Sequence, residues 1–183
     1  MKSAPLANNE LESLKLENKK LKEIFYKYDI NYPYFSTKVL GNDIGNKTFS
    51  LPKELNNYWK LWKINIYHDN YYVTKIEMFY KDNSDKCKSF QFGEGDGTKK
   101  SLEFTSNENI ENLIINAGSL IDGITIDTNK KSLFGRIENV GGIGYLFNIK
   151  EISKIFEKKV ELIGFEGNYN SYIIQIKAVF KFL

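Results

Sequence analysis

The sequence is short of the residues that most catalytic and metal chemistry needs. It has one cysteine, Cys87, and one histidine, His68. A single chain can therefore build no internal disulfide, no Cys/His zinc site and no Ser-His-Asp triad. Arginine is equally scarce: Arg136 stands alone, and nearly all the positive charge is lysine. Nucleic-acid readers lean on arginine for bidentate contacts, and a net charge of +3 gives no strong basic field, so no nucleic-acid partner is expected. No apolar run reaches membrane-spanning length, and the N-terminus shows no leader pattern, which makes the cytoplasm the default compartment. No acid/base or nucleophile constellation is visible, so the chain is read as non-enzymatic. Asp82, Asp85, Glu94 and Asp96 lack calcium-loop spacing, and no metal or cofactor is expected.

What is present points to a β-rich globular fold. Of 183 residues, 42 % are hydrophobic and 15 % aromatic, with 12 Tyr and 13 Phe. That length suits one domain with a short extra segment. The extra segment is N-terminal. Residues Asn8 to Tyr28 are helix formers without Gly or Pro, and Leu11, Leu14, Asn18, Leu21, Phe25 and Tyr28 recur at spacings of three and four. This is a heptad seam, and an asparagine inside one suits register selection in a parallel dimer. So short a helix is marginal alone and must dock, either on its own domain or on a second copy. Homo-oligomerisation through it is the expectation carried forward, with residues 1–31 as a helical segment and 32–183 as the domain. Tyr32-Pro33-Tyr34 reads as the helix stop.

Beyond it the period changes to two. Trp62, Ile64 and Ile66 alternate with polar neighbours, Val73–Tyr80 returns, and Phe90, Phe92, Leu102 and Phe104 continue the pattern. Phe147 and Ile149 read as a strand, and Ile152–Lys158 as a linker or one helical turn. Val160–Phe165 and Tyr172–Phe182 form a last hairpin, with Ile174, Ile176, Ala178, Phe180 and Phe182 on one face. Glycine loops near residues 41–45, 93–97 and 141–144 each accompany a hairpin, the kind of trace an internal three-fold repeat leaves. Trp59 and Trp62 suit half-buried strand positions better than an exposed stacking platform.

The stretch that organises the chain is Leu113–Gly144, LIINAGSLIDGITIDTNKKSLFGRIENVGGIG. Gly118 opens a tight loop and Asp122 closes it, giving G-x-x-x-D. Gly141, Gly142 and Gly144 form a second permissive loop. On its own the aspartate suits either turn capping or a ligand contact.

AGSLIDGITIDTN, followed by Phe134-Gly135 and a Gly-Gly-x-Gly loop, resembles the second repeat of jacalin-related lectins. The resemblance spans roughly Tyr34 to Phe182 and implies an all-β fold, β-prism I: three four-stranded Greek-key sheets, here preceded by a short helix. It also implies a sugar site between the G-x-x-x-D loop and a glycine-rich neighbour. On this chain that means Gly118, Ser119, Leu120 and Asp122 with Gly141 and Gly142. The matching positions of the first repeat are Asn70 and Thr74, and of the last repeat Asn170 and Ile174. Isoleucine accepts no hydroxyl, so the last loop, the principal site in most of the family, leaves Asn170, Ser171 and Tyr172 as secondary candidates. The implied partner is a mannose-, glucose- or galactose-type glycan. A prism that has lost sugar binding and serves as a protein-interaction or assembly module is the alternative.

Overall fold

Alternating apolar and polar residues fold this chain into three antiparallel sheets. The computed structural model describes residues 4–31, 33–51, 59–130, 132–135 and 142–183. A helix, α1 (Ala4–Lys27), leads into strands β1 (Tyr28–Asn31), β2 (Tyr34–Thr37), β3 (Leu40–Gly41) and β4 (Lys47–Phe49). Next come β5 (Lys60–His68), β6 (Val73–Lys81), β7 (Cys87–Phe92) and β8 (Thr98–Glu103). Then follow β9 (Ile110–Ala117), β10 (Ile121–Thr128), β11 (Ser132–Gly135), β12 (Ile143–Asn148), α2 (Ile149–Ile155), β13 (Val160–Tyr169) and β14 (Ile173–Phe182).

Two sheets have four strands each, in the orders β7-β6-β5-β8 and β11-β10-β9-β12. In each, three consecutive hairpin strands are joined by a fourth that returns beside the first, which is a Greek key. The third sheet joins the two ends of the chain. Its central hairpin is β13–β14; β4 flanks β13, while β2 and β3 pair with successive stretches of β14, and β1 adds an outer strand beyond β2. The central strands β6, β10 and β14, one from each sheet, touch one another along the middle of the molecule. This is the three-sheet prism expected from the sequence.

The core follows from that meeting. Ile64, Ile66, Ile76 and Met78 come from one sheet, Leu113, Ile115, Ile124 and Ile126 from the second, and Ile176, Ala178, Phe180 and Phe35 from the third; each is at most 2 % exposed. A fully buried side chain of this size contributes about 1.5–3 kcal/mol. Tyr80 ties two sheets together: its buried hydroxyl donates to the Ile163 carbonyl at 2.8 Å, across from β6 to β13.

Three local expectations are corrected. First, the helix ends at Lys27, before Pro33, because Tyr28 turns inward and starts β1. Tyr28 is 3 % exposed and stands edge-on to Phe35 and Phe147 at 5.7 and 5.6 Å. Second, only part of the heptad seam holds α1 to the prism. Leu14 and Phe25 are exposed, whereas Leu21 is half-buried and Tyr28 buried, joined by Ile24 from outside the seam. Lys20 reaches Glu151 of α2 at 4.0 Å, and Lys27 donates to the Leu146 carbonyl at 3.5 Å. The side chain of Leu11 lies outside the described residues. Third, Ile149 is not in a strand. Asn148 caps α2 by accepting from the Glu151 amide at 2.9 Å, and Ile149 and Ile152 bury the helix face. The Asn148-x-x-Glu151 spacing is a helix-start signal that the apolar alternation obscured.

Candidate functional site

The central repeat places its loop residues by register. β9 and β10 pair antiparallel, with Ile121 opposite Ala117 and then Gly123 opposite Asn116; the shift between them accommodates Asp122 as an extra residue. The Gly118 amide donates to the Leu120 carbonyl at 3.0 Å and closes the loop. Gly118 and Ser119 are exposed and Leu120 is half-buried.

Asp122 does not point outward with them. It is only 7 % exposed, and its Oδ2 is buried without a hydrogen-bond partner. Burial raises its carboxyl pKa, and the backbone N–H groups of Gly118 and Asp122 offset part of that. Gly142 lies directly over the carboxylate. Its φ is +92°, and a Cβ added there would come within 2.1 Å of Oδ2. Only glycine permits that approach and that backbone. A Cβ at Gly118 would stand 3.5 Å from the same oxygen and 3.8 Å from the Gly142 Cα. Gly118, Asp122 and Gly142 are thus brought together. Gly141 lies outside the described residues.

One neighbour was missed by the sequence reading. Asn116, on β9, is 3 % exposed, and its Nδ2 is buried without an acceptor. Its position two residues before Gly118 is the only sequence signal for it, and a polar residue there is unremarkable in a strand. Buried unpaired polar atoms cost about 1–3 kcal/mol each, and both Asn116 Nδ2 and Asp122 Oδ2 are left open on the paired strands β9 and β10.

The other two repeats keep the frame and lose the carboxylate. Gly93 and Gly41 match Gly142 in backbone, at φ +89° and +95°, but face the carbonyl oxygens of Thr74 and Ile174. In the first repeat, Asp69 Oδ1 accepts from the Tyr71 and Tyr72 amides at 2.7 and 2.8 Å, so its carboxylate caps the turn. Thr74 Oγ1 and His68 Nε2 are buried without partners there. In the last repeat, Asn170 Oδ1 accepts from the Asn46 amide at 2.9 Å, and Ile174 is 6 % exposed. Asn168, the counterpart of Asn116, is satisfied by Gln175 and Asp43 at 3.0 and 3.3 Å. Ser171 is exposed, and the Tyr172 ring packs edge-on against Tyr72 at 5.5 Å. The secondary candidates Asn170, Ser171 and Tyr172 therefore form a turn closed upon its neighbours. Among the described residues no group of three or more His, Cys, Asp or Glu could hold a metal ion, and no helix is long and apolar enough to cross a membrane.

Comparison with known proteins agrees with the fold. The family model for the jacalin-like lectin domain matches residues 37–179. Among solved structures, a mannose-binding jacalin-related lectin from Ananas comosus is similar at TM-score 0.66 and 14 % identity, covering 82 % of this chain and 99 % of that one. Calsepa lectin, solved with a biantennary N-glycan, is similar at TM-score 0.60 and 17 % identity, covering 81 % and 96 %. A lamprey immune protein is similar at TM-score 0.65 and 21 % identity, covering 83 % of this chain. The chain spans 45 % of the length of the lamprey protein. No curated protein sequence matches.

Proposed function

The chain belongs to the jacalin-like lectin domain family, and we propose that it is a non-enzymatic carbohydrate-binding module with one family-type site, in its central repeat. The observation that supports this most is the Asp122 carboxylate itself, set at the end of the exposed Gly118–Ser119 turn and packed against the left-handed Gly142 of the glycine-rich loop. A hexose hydroxyl is both donor and acceptor. In the proposed site adjacent hydroxyls of a mannose-, glucose- or galactose-type sugar donate to Asp122 in charge-assisted bonds of about 1.5–3 kcal/mol each. The backbone N–H groups of Ser119 and Leu120 donate to the sugar oxygens, and Gly142 closes the pocket. Metal plays no part in this binding. Asn170, Ser171 and Tyr172 stand second, since Asn170 is already engaged by Asn46.

A single site of this kind is weak. A millimolar affinity is about −4 kcal/mol, and pairing two sites on one scaffold would raise it by avidity. We assign that pairing to the helical segment 1–31, which leaves the seam residues Leu14 and Phe25 in solvent while Ile24 and Tyr28 attach it to the prism of 32–183. The test of the reading is a glycan array on the full chain and on Asp122→Asn. Binding to hexose-terminated glycans that the variant loses supports it. A blank array for the folded wild type contradicts it and favours a prism that binds protein instead.

A further inference from the structure

The far end of the prism carries a concave site, built where β5, β9 and β13 begin and β6 ends. A cavity of about 320 Å³ opens there, at the small end of the range for small-molecule sites (about 300–1,000 Å³). Lys60, Lys81 and Lys159 line it together with Trp62.

Two independent features are costly as they stand. Lys60 and Lys81 are directly opposed in the β5–β6 register, a like-charge pair that destabilises a sheet. The indole Nε1 of Trp62 is buried with no acceptor. Lys81 Nζ lies 4.3 Å from the Trp62 ring centroid, so the ammonium and the indole occupy one corner.

The carboxylates lining the cavity are largely committed elsewhere. Asp82 accepts from the Ser84 and Lys86 amides at 2.7 and 3.0 Å. Glu108 accepts from the Thr105 amide and hydroxyl at 3.1 and 3.2 Å and from the Thr128 hydroxyl at 2.6 Å. Glu161 stands opposite Lys181 in the β13–β14 register. The lining as a whole balances three lysines against Asp82, Glu108 and Glu161, and the donors concentrate in the corner of Lys60, Lys81 and Trp62.

We propose that this cavity binds a small molecule through a phosphate or sulfate group. The oxyanion sits between the opposed lysines, relieves their repulsion, and accepts from the Trp62 N–H. A concave wall with a buried donor fits the oxyanion of a small molecule better than the flat face of an anionic membrane. The site is independent of Asp122 and of the sugar reading.

The experiment follows the Trp62 indole ¹H–¹⁵N resonance of the full chain, assigned with Trp62→Phe, during titrations with inorganic phosphate, inorganic sulfate and glucose 6-phosphate. The expected result is a saturable shift that sodium chloride at matched ionic strength does not produce. Lys60→Gln and Lys81→Gln each weaken it by about three-fold, the scale of one partly screened ion contact, and Asp122→Asn leaves it unchanged. Lysine truncations at this surface leave the dispersed amide spectrum intact, so loss of fold is read from the same data. Tighter binding of glucose 6-phosphate than of free phosphate identifies a phosphorylated small molecule as the occupant, and equal binding identifies the free anion. No shift, a shift insensitive to both lysines, or binding only to phosphatidylserine vesicles overturns the proposal.

Discussion

Gly142 covers Asp122 so closely that a Cβ at position 142 would lie 2.1 Å from the carboxylate oxygen Oδ2. The relationship joins two loops, since the left-handed backbone of one packs on the carboxylate of the other. Gly142→Ala must both shift the Asp122 carboxylate and adopt a φ that L-residues avoid, at a cost of at least about 1 kcal/mol from the backbone alone. We expect a lower melting temperature and loss of any sugar binding. Gly118→Ala, with 3.5 Å to the same oxygen, should be milder in stability. Thermal denaturation of the two variants side by side checks the order.

Burial sets the pH behaviour of Asp122. Its folded pKa is raised above the ordinary aspartate value, so in the window between the two the folded state holds a proton that the unfolded state has released. Stability from this group is therefore present at the acid end and is lost as pH rises through the folded pKa. Asp122→Asn removes that slope, which denaturant titrations at several pH values would show. Sugar binding runs the opposite way. It needs the ionised acceptor and falls as pH drops through the raised pKa, earlier than for a solvent-exposed aspartate.

The contact between sheets at Tyr80 predicts a stability loss without a functional one. Burial pushes its phenol pKa up, in keeping with a neutral donor to the Ile163 carbonyl. Tyr80→Phe keeps the ring and leaves that carbonyl unpaired, costing about 1–3 kcal/mol. Urea denaturation should show a lower midpoint with an unchanged slope, and glycan binding should persist at low temperature.

The helix makes a prediction that separates anchoring from pairing. Tyr28→Ala opens a cavity between Phe35 and Phe147 and should destabilise the prism by about 3–5 kcal/mol, the scale of a large aromatic truncation. Leu14→Asp should leave stability alone and abolish the proposed pairing, because Leu14 is exposed in the single chain. Light scattering that finds a monomer at tens of micromolar for the wild type would remove the pairing role and leave a helix docked on its own domain.

Much of this was readable before the structure, and the exceptions have physical causes. The strands with clean alternation, such as Trp62–Ile66 and Ile174–Phe182, fall where their period places them, because burial on one face leaves no other register. Gly118 and Asp122 were legible because their spacing is a local pattern. Asn116 was not, since its importance lies in a missing acceptor and not in any neighbour in sequence. Ile149 misled because a β-branched residue after Phe147 looks like strand, and the Asn148 cap decides otherwise. The seam of α1 showed only part of its anchor: Leu21 and Tyr28 lie on it and are shielded, whereas Ile24 joins them from outside it through tertiary geometry. Strand β1 is four residues long and at a sheet edge, too short to leave a period.

The most direct test of the central claim is an amide NMR titration of the wild-type chain with methyl α-mannoside and methyl α-galactoside, repeated on Asp122→Asn. The account predicts chemical-shift changes at Gly118, Ser119, Leu120 and Gly142 with at least one of the two sugars, unaltered by a chelator. It predicts their loss in the variant, where forfeiting about 2–3 kcal/mol erases a millimolar site. Shifts clustered instead at Asn170, Ser171 and Tyr172, or central-repeat shifts that survive in Asp122→Asn, would contradict it.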